Sequence, residues 1–199
     1  MLPVRSKYKI GKRLGPSVFE QLQTQKFALS EARSKKIRGR GGSDYGRQLI
    51  EKQRVRYTYG ITERQLSNYA EKAFAEADPS SELHRALEMR VDSVMYRAGI
   101  ASTRRAARQM VSHGHITING RRTTIPSLRV KVGDTISIRE GSRKNMLFAS
   151  LAEAEERRAA PRWLSVDFNL LKVEITGEPE FSSAETGLDY PTVFEFYSR

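Results

Sequence analysis

Residues 89–138 read MRVDSVMYRAGIASTRRAARQMVSHGHITINGRRTTIPSLRVKVGDTISI, and the periodicity of this stretch decides the fold. Its first part completes an apolar stripe at helical spacing, which predicts one helix from Glu82 to the helix-stopping Gly99. A second, basic helix is expected over Thr103–His113, with Ser102 as its N-cap and Gly114 as its stop.

The sequence period changes from 3.6 to two after the basic helix. Ile116 and Ile118 alternate with polar residues, and Asn119-Gly120 is the dipeptide most typical of a two-residue hairpin turn. Alternation resumes in residues 130–138. The stretch therefore predicts a small, mostly antiparallel sheet packed against two helices.

The basic helix has two different faces at 100° per residue. Its apolar face carries Ala106, Ala107, Met110 and Val111. The opposite face and the following hairpin carry side chains that can donate hydrogen bonds to phosphate and sugar oxygens, and arginine suits this task because its planar fork binds two oxygens at once. The candidate nucleic-acid contacts of this stretch are Arg104, Arg105, Arg108, Gln109, His113, Asn119, Arg121 and Arg122.

The charge of the chain points in the same direction. The 199 residues have a formal net charge of +12 and a pI near 10.1, which favours a polyanionic partner. The excess is uneven: residues 1–60 hold 15 Lys and Arg against 4 Asp and Glu, and residues 89–150 hold 12 against 3. The segments 61–88 and 151–199 are acidic, with 3 basic against 6 acidic and 5 against 10. This alternation favours one face that binds RNA over a uniformly solvated surface.

Several classes of protein are disfavoured by composition. The chain contains no cysteine, so disulfides and thiolate zinc sites are excluded, and this fits a reducing compartment. Its three histidines make a poor metal set, so we expect no metal and no other cofactor. No apolar run approaches the roughly 20 residues that span a bilayer, the N-terminus lacks the apolar core of a signal sequence, and no nucleophile–base constellation indicates an enzyme.

The regions outside the central stretch give weaker signals. Residues 1–42 are expected to be a loosely structured basic arm. Ser43 and Asp44 predict the start of a helix running from Tyr45 to about Tyr57. Candidate RNA contacts on that helix are Tyr45, Arg47, Lys52, Arg54 and Arg56.

A further helix is expected from Glu63 to about Ala77, with Thr62 as its cap and Gln65 completing a capping box. In the tail, residues 151–160 are expected to be helical. Leu170–Ile175 and Thr192–Tyr197 are expected to form strands, separated by a polar loop.

Three stretches resemble the small-subunit ribosomal protein number four family. The first comprises Ser43-Asp44-Tyr45 to Leu49, Glu51-Lys52-Gln53, Tyr59-Gly60-Ile61 and Glu63-Arg64-Gln65. The second comprises Met89-Arg90-Val91-Asp92, Ser102, Arg104, Ala107-Arg108-Gln109, Val111, His113 and Val130. The third comprises Trp163 to Asp167 and the terminal Glu195-Phe196-Tyr197-Ser198-Arg199. The second stretch is only moderately specific, since RNA-modifying enzymes and a tRNA synthetase contain the same module.

The resemblance implies an α+β protein in which an RNA-binding module is inserted into a helical domain. The corresponding domains are a basic N-terminal arm, 1–42, a discontinuous helical domain, 43–88 with 151–199, and the inserted RNA-binding domain, 89–150. Many relatives have a four-cysteine zinc site near the N-terminus, and this chain departs from that pattern.

The resemblance also implies a function. The family binds the 5′ region of small-subunit ribosomal RNA early in assembly and lies at the messenger entry channel, beside ribosomal proteins three and five. This implies a non-enzymatic structural protein of the small ribosomal subunit, in the cytoplasm of a bacterium or in a plastid, that contacts no membrane and no small-molecule substrate. The candidate contacts of the arm with messenger RNA are Lys35, Lys36, Arg38 and Arg40.

Two other functions are compatible with the central stretch. The module occurs as a targeting domain in pseudouridine synthases, but only about 137 residues lie outside 89–150, and they include no evident catalytic aspartate loop. A free-standing RNA chaperone would leave the motifs at 43–65 and at the C-terminus without an explanation.

Overall fold

The computed structural model describes residues 4, 6–33, 43–145, 148 and 159–198. These residues form two compact units. The helical unit consists of the described residues within Met1–Leu83 and Phe181–Arg199, and the sheet unit consists of those within His84–Glu180. The α+β class that the sequence predicts is confirmed, with an antiparallel sheet in one unit and helices in both.

The sheet unit contains a five-stranded antiparallel sheet. Its strands are β1 (Ile116–Ile118), β2 (Arg121–Thr123), β3 (Thr135–Ile138), β4 (Leu164–Asp167) and β5 (Lys172–Ile175), in the order β2-β1-β3-β5-β4. Ile116 lies opposite Ile138, and Ile136 lies opposite Val173. The alternating residues predicted to face the core therefore meet on one side of the sheet.

The predicted hairpin at Asn119-Gly120 is confirmed. Asn119 has φ 48° and Gly120 has φ 79°, the left-handed pair that a tight two-residue hairpin requires. The Asn119 amide also ties the turn to the next strand: Oδ1 accepts from the Thr135 N–H at 2.9 Å, and Nδ2 donates to Asp134 at 2.8 Å. The side chain is thus part of the turn itself.

The sheet packs against helices α6 (Val91–Arg97) and α7 (Arg104–Ser112). Val94 and Met95 of α6 and Val111 of α7 are fully buried in one core with Ile116 and Ile136. Burying side chains of this size contributes about 1.5–3 kcal/mol each. Helix α6 and the sheet therefore form one packed support for α7.

The single helix predicted from Glu82 to Gly99 is wrong. Helix α5 (Pro79–Glu88) ends before Arg90, whose backbone is extended and forms an isolated bridge with Arg129. The next two N–H groups, of Val91 and Asp92, donate to the carbonyls of Leu128 and Pro126. A distant loop thus satisfies the donors at the start of α6, which allows the chain to turn there.

The helical unit contains ordered structure where a loose arm was expected. Helices α1 (Lys7–Leu14) and α2 (Gln25–Arg33) are joined by two short 3₁₀ turns. Leu14, Leu22 and Phe27 are buried. A Cβ on Gly11 would lie 2.0 Å from Leu22 Cδ1, so this glycine is what lets the two segments pack. Apolar packing orders 6–33, which contradicts the expectation there.

Helices α3 (Asp44–Tyr59) and α4 (Glu63–Phe74) confirm the predicted caps. Ser43 Oγ accepts from the Gly46 N–H, and the Thr62–Gln65 pair forms a reciprocal capping box. Helix α3 continues two residues beyond the prediction, whereas α4 ends three residues before it.

The C-terminal segment differs from its predicted strand. Residues expected to be extended form helix α10 (Tyr190–Tyr197), which Asp189 caps by accepting from the Thr192 N–H. Its three buried residues, Tyr190, Val193 and Phe194, are spaced at i, i+3 and i+4 and lie on one face of this helix. A four-residue helix, α9 (Ser183–Thr186), precedes it, and another, α8 (Glu140–Arg143), follows β3 in the sheet unit.

The strand predicted at Leu170–Ile175 is confirmed as β5, which pairs with both β3 and β4. The sheet unit thus includes two strands from the segment 151–199, which the sequence analysis grouped with the helical domain. The sequence-based domain boundaries remain a prediction. Most of 151–160, expected to be helical, lies outside the described residues.

Candidate nucleic-acid interface

Helix α7 is the centre of the candidate site. Its N-cap is Thr103, one residue later than predicted, and Thr103 Oγ1 accepts from the Ala106 N–H. Ala107, Met110 and Val111 are buried, as the predicted apolar face of the helix requires. The apolar face of α7 therefore packs into the core.

Arg104 lies mostly within the protein. Its Nη2 donates to Glu88 Oε1 at 3.0 Å, its Nη1 donates to Ser93 Oγ at 3.0 Å, and its guanidinium stacks 4.6 Å from the Tyr96 ring centre. The side chain retains 12% of its exposure. Arg104 thus connects α7 to α5 and α6.

Arg108 makes the equivalent contact one turn later. Its Nε and Nη2 both donate to Asp92 Oδ2, at 2.9 and 2.7 Å. The same carboxylate accepts two further hydrogen bonds from Arg90, at 2.9 and 2.8 Å. Asp92 and Arg90 are both buried, so this is an ion pair inside the protein with Arg108 at its edge.

Glu88 is the second buried carboxylate. It accepts from Arg97 as well as from Arg104. Burial raises the pKa of Glu88, but the charges of Arg104 and Arg97 outweigh it and hold the pKa far below its ordinary value. Burial, with the nearby Arg97 and Arg104, lowers the pKa of His84 in the same cluster, although the Glu88 charge opposes this. The cluster fixes α7 by charge pairing that needs no RNA.

Other predicted contacts of the sheet unit face solvent. The exposed members are Arg105, Gln109, His113, Asn119, Arg121 and Arg122. Arg105 and Gln109 are successive residues of one α7 stripe, and Arg121 and Arg122 begin β2. Asn119 is exposed as well, but both ends of its amide are engaged in the hairpin turn.

In the helical unit, three predicted RNA contacts of α3 are engaged with other residues. Lys52 is buried, donates to Glu63 Oε1 at 2.7 Å and lies 4.1 Å from the Phe196 ring centre. Arg56 donates to the other Glu63 oxygen at 3.2 Å. Arg54 donates to Glu51 at 2.7 Å and to the Leu14 carbonyl at 2.9 Å.

The two remaining candidates on α3 lie at its exposed N-terminal end. Arg47 pairs with Asp44 in the first turn, where both side chains face solvent. Tyr45 is half exposed, and its ring centre lies 5.7 Å from that of Phe196. Lys35, Lys36, Arg38 and Arg40 lie outside the described residues.

Glu63 and Tyr197 form a junction that the sequence patterns do not predict. The Tyr197 hydroxyl donates to Glu63 Oε1 at 2.9 Å, beside Lys52. Burial raises the pKa of Glu63, but hydrogen bonds from Lys52, Tyr197 and Arg56 bring it below its ordinary value. Burial and the Glu63 contact raise the pKa of Tyr197. The C-terminal motif Glu195 to Arg199 is the sequence feature that could have indicated this junction, because its Tyr197 donates to Glu63.

Other exposed cations of the sheet unit also went unpredicted. Lys131 lies in the turn before β3, and Arg139 lies directly after β3. Neither belongs to a basic helix or a motif, so only the folded structure shows that they are exposed. Within the described residues, no group of three His, Asp or Glu side chains is arranged to hold a metal ion. No helix in that part of the chain is long and apolar enough to cross a bilayer.

Comparisons with known proteins cover almost the whole chain. The family model described as "Ribosomal protein S4/S9 N-terminal domain" matches residues 4–88, and the model described as "S4 domain" matches residues 89–136. The "Small ribosomal subunit protein uS4" of Roseiflexus castenholzii is 43% identical over 198 residues, which cover 96% of each chain.

Proteins of the same name from other bacteria are also similar. The Chloroflexus aurantiacus protein is 38% identical over 197 residues and covers 96% of each chain. The Borrelia turicatae protein is 37% identical over 200 residues, which cover 98% of this chain and 96% of its own. The family resemblance drawn from the sequence motifs is confirmed, and the chain belongs to the uS4 family of small ribosomal subunit proteins.

Proposed function

We propose that this chain is a structural component of the small ribosomal subunit and binds ribosomal RNA through the sheet unit. The observation that carries the proposal is the exposure of four donors, Arg105 and Gln109 on α7 and Arg121 and Arg122 on β2, in a unit whose helices and sheet share one buried core. Structured RNA is recognised mainly through its shape and its phosphate and 2′-hydroxyl groups, which such exposed donors fit.

The proposed mechanism separates two tasks. Exposed arginines neutralise phosphates and release counterions, so several RNA helices can converge in spite of their mutual repulsion. Arg104 and Arg108 hold α7 in position through Glu88 and Asp92. Direct RNA contacts by these two arginines remain part of the proposal, as do those of Lys52, Arg54 and Arg56.

The finer proposals follow from the family. The chain would organise the 5′ region of small-subunit ribosomal RNA early in assembly and line the messenger entry site with Lys35, Lys36, Arg38 and Arg40. Its protein neighbours would be ribosomal proteins three and five. Omitting the chain from reconstitution of small subunits should then block ordering of the 5′ region, which chemical probing of the RNA can measure.

The RNA interface is tested by a pair of charge-matched triple variants. Arg105→Gln, Arg121→Gln and Arg122→Gln together should weaken binding to a 5′-region RNA fragment and reduce the slope of log affinity against log salt by about 0.7–0.9 for each lost phosphate contact. The control combines Lys144→Gln, Arg162→Gln and Lys172→Gln, which remove the same charge from other exposed positions of the sheet unit. Equal losses in both variants would contradict a localised interface.

The enzymatic alternative is tested with the same protein. Under the proposal, purified chain incubated with the RNA fragment leaves its uridines unchanged. Turnover of uridine to pseudouridine would instead support an RNA-modifying enzyme that uses this module for targeting.

A further inference from the structure

Three elements of the sheet unit meet at His115. The residue follows the C-terminal end of α7, precedes β1, and lies beside the segment that joins β3 to α8. The Arg139 N–H donates to the His115 carbonyl at 2.8 Å, and the Ser142 N–H donates to the Arg139 carbonyl at 2.8 Å. The backbone on both sides of the imidazole is therefore fixed.

The orientation of the His115 ring is also fixed. Its Nδ1 lies 2.9 Å from Ser142 Oγ, and Ser142 is buried. The ring meets the buried Phe148 edge to face, with 5.8 Å between ring centres. These contacts engage Nδ1 and one flank of the ring, and they direct Nε2 away from Ser142.

Arg122 reaches the same corner from β2. Its Nη2 lies 3.4 Å from the His113 carbonyl oxygen, and its guanidinium packs on the backbone of Gly114. The residue has φ +72°, which favours glycine, and a Cβ there would lie 2.3 Å from Arg122 Nε and would displace the guanidinium. This close packing holds an exposed arginine beside the two histidines.

The charged groups that shift the pKa of His115 are all basic. The rings of His113 and His115 are 6.0 Å apart, and Arg122 and Arg139 add two permanent charges. Burial lowers the pKa of His115, and the positive charges of His113, Arg139 and Arg122 lower it further. Cations gathered around an imidazole disfavour its protonation, and a bound anion offsets their charge.

We propose that His113, His115, Arg122 and Arg139 form a binding corner for a backbone phosphate of RNA, and that His115 takes up one proton from solvent when the phosphate binds. The phosphate would receive charge-assisted hydrogen bonds from the two guanidinium groups and from His115 Nε2. Binding and protonation are then linked, and each strengthens the other. This inference rests on the proposed RNA-binding function and adds a pH-dependent contact to it.

The first test follows the three imidazoles of the intact chain by nuclear magnetic resonance. Added inorganic phosphate, and separately a short single-stranded oligoribonucleotide, should raise the pKa of His115 at constant ionic strength. Chloride at the same ionic strength should not, and the buried His84 serves as an internal control. A His115 pKa that stays unchanged with both ligands would overturn the inference.

Variants assign the effect to this corner. Arg139→Gln should reduce the phosphate-induced rise in the His115 pKa, whereas Lys172→Gln, an exposed cation of the same unit, should leave it unchanged. Fluorescence of Trp163, the single tryptophan, reports whether each variant folds. Arg122→Gln provides a second variant if Arg139→Gln fails to fold, and an undiminished rise in a folded variant would contradict the proposed corner.

The last test separates this inference from the proposed function. Affinity for the 5′-region RNA fragment should increase as the pH falls from 7.5 to 5.5, by no more than about tenfold per pH unit because one proton is taken up. His115→Gln should flatten this dependence. Tight binding that is independent of pH would overturn the corner but not the proposed function. Absence of RNA binding would overturn the function, while the phosphate titration would still test the corner.

Discussion

The two basic helices, α3 of the helical unit and α7 of the sheet unit, use their cations differently. The carboxylates that pair with α7 are buried, with 1% of the Glu88 side chain and 4% of the Asp92 side chain exposed. Glu63, which pairs with two cations of α3, keeps 43% of its exposure. Water therefore shares the charge of Glu63, whereas the carboxylates that pair with α7 depend on protein partners.

The number of basic residues on a helix therefore differs from the number that face outward. Lys52 is buried although it lies on a helix with four basic residues, and Arg105 is exposed although its neighbour Arg104 is paired. A carboxylate on an adjacent helix decides the difference. An unpaired charge is costliest where water cannot reach it, so substitution of a buried carboxylate should destabilise the protein most.

The largest expected effect is that of Asp92→Asn. This substitution leaves the buried Arg90 and the largely buried Arg108 without their shared counter-charge. Removing one partner of a buried ion pair costs about 3–5 kcal/mol. Urea unfolding followed by Trp163 fluorescence measures this loss, since the tryptophan packs against the core of the sheet unit.

The control for Asp92→Asn is Glu180→Gln, which removes one carboxylate from an exposed position of the same unit. Surface changes of this kind are expected to stay within about 0.5 kcal/mol. If Asp92→Asn were equally mild, the Asp92 carboxylate would not be the anchor of α7.

Glu63→Gln should have a smaller effect, in the helical unit. The substitution removes the charge that accepts from Lys52, Arg56 and Tyr197. Because Glu63 is partly exposed, we expect a loss of about 1–2 kcal/mol, at the low end for hydrogen bonds to charged groups. Thermal unfolding followed by circular dichroism measures it. Glu71→Gln, an exposed position of the same helix, should change little, and equal losses would argue against the junction.

Features fixed by near neighbours were predictable from the sequence. The Ser43 cap and the Thr62–Gln65 capping box depend on residues three positions apart, and the Asn119-Gly120 turn depends on the positive φ angles that these two residues adopt. The break between α5 and α6 was not predictable from spacing, because its donors are satisfied by the Pro126 and Leu128 carbonyls, more than 30 positions away. The C-terminal helix was mistaken for a strand because short apolar runs fit both periods.

The candidate site also has features that near neighbours fix and features that depend on distant residues. Periodicity identified the apolar and basic faces of α7, since both follow from 100° per residue. It could not show that Arg104 and Arg108 pair with Glu88 and Asp92, each 16 positions earlier. These pairs can form only after the chain has turned between α6 and α7. The corner at His115 requires the sheet register as well.

A contrast between adjacent arginines tests the division directly. Arg105→Gln should leave the stability measured by Trp163 fluorescence unchanged. It should reduce the slope of log RNA affinity against log salt by about 0.7–0.9, the value for one phosphate contact. Arg104→Gln should instead destabilise the sheet unit, because Glu88 loses one of its two arginines. If the two variants exchanged these effects, the exposed and paired faces of α7 would be wrongly assigned.

The smallest expected effect is a pH dependence of the sheet unit. Because burial lowers the pKa of His84 in the folded chain, the unfolded chain binds a proton first, near pH 6.5. Stability is therefore complete above that pH and falls as the pH drops towards the folded pKa.

Unfolding followed by Trp163 fluorescence at pH 7.5 and 5.5 should show this loss of stability, and His84→Gln should reduce the loss. His113→Gln alters an exposed imidazole outside the His84 cluster and should preserve the part of the loss that is due to His84. Some dependence should remain in His84→Gln, because the pKa of His115 is also lowered. Glu88 does not contribute in this range, since its pKa lies far below it. An unchanged slope in His84→Gln would mean that the buried ion cluster tolerates a charged histidine.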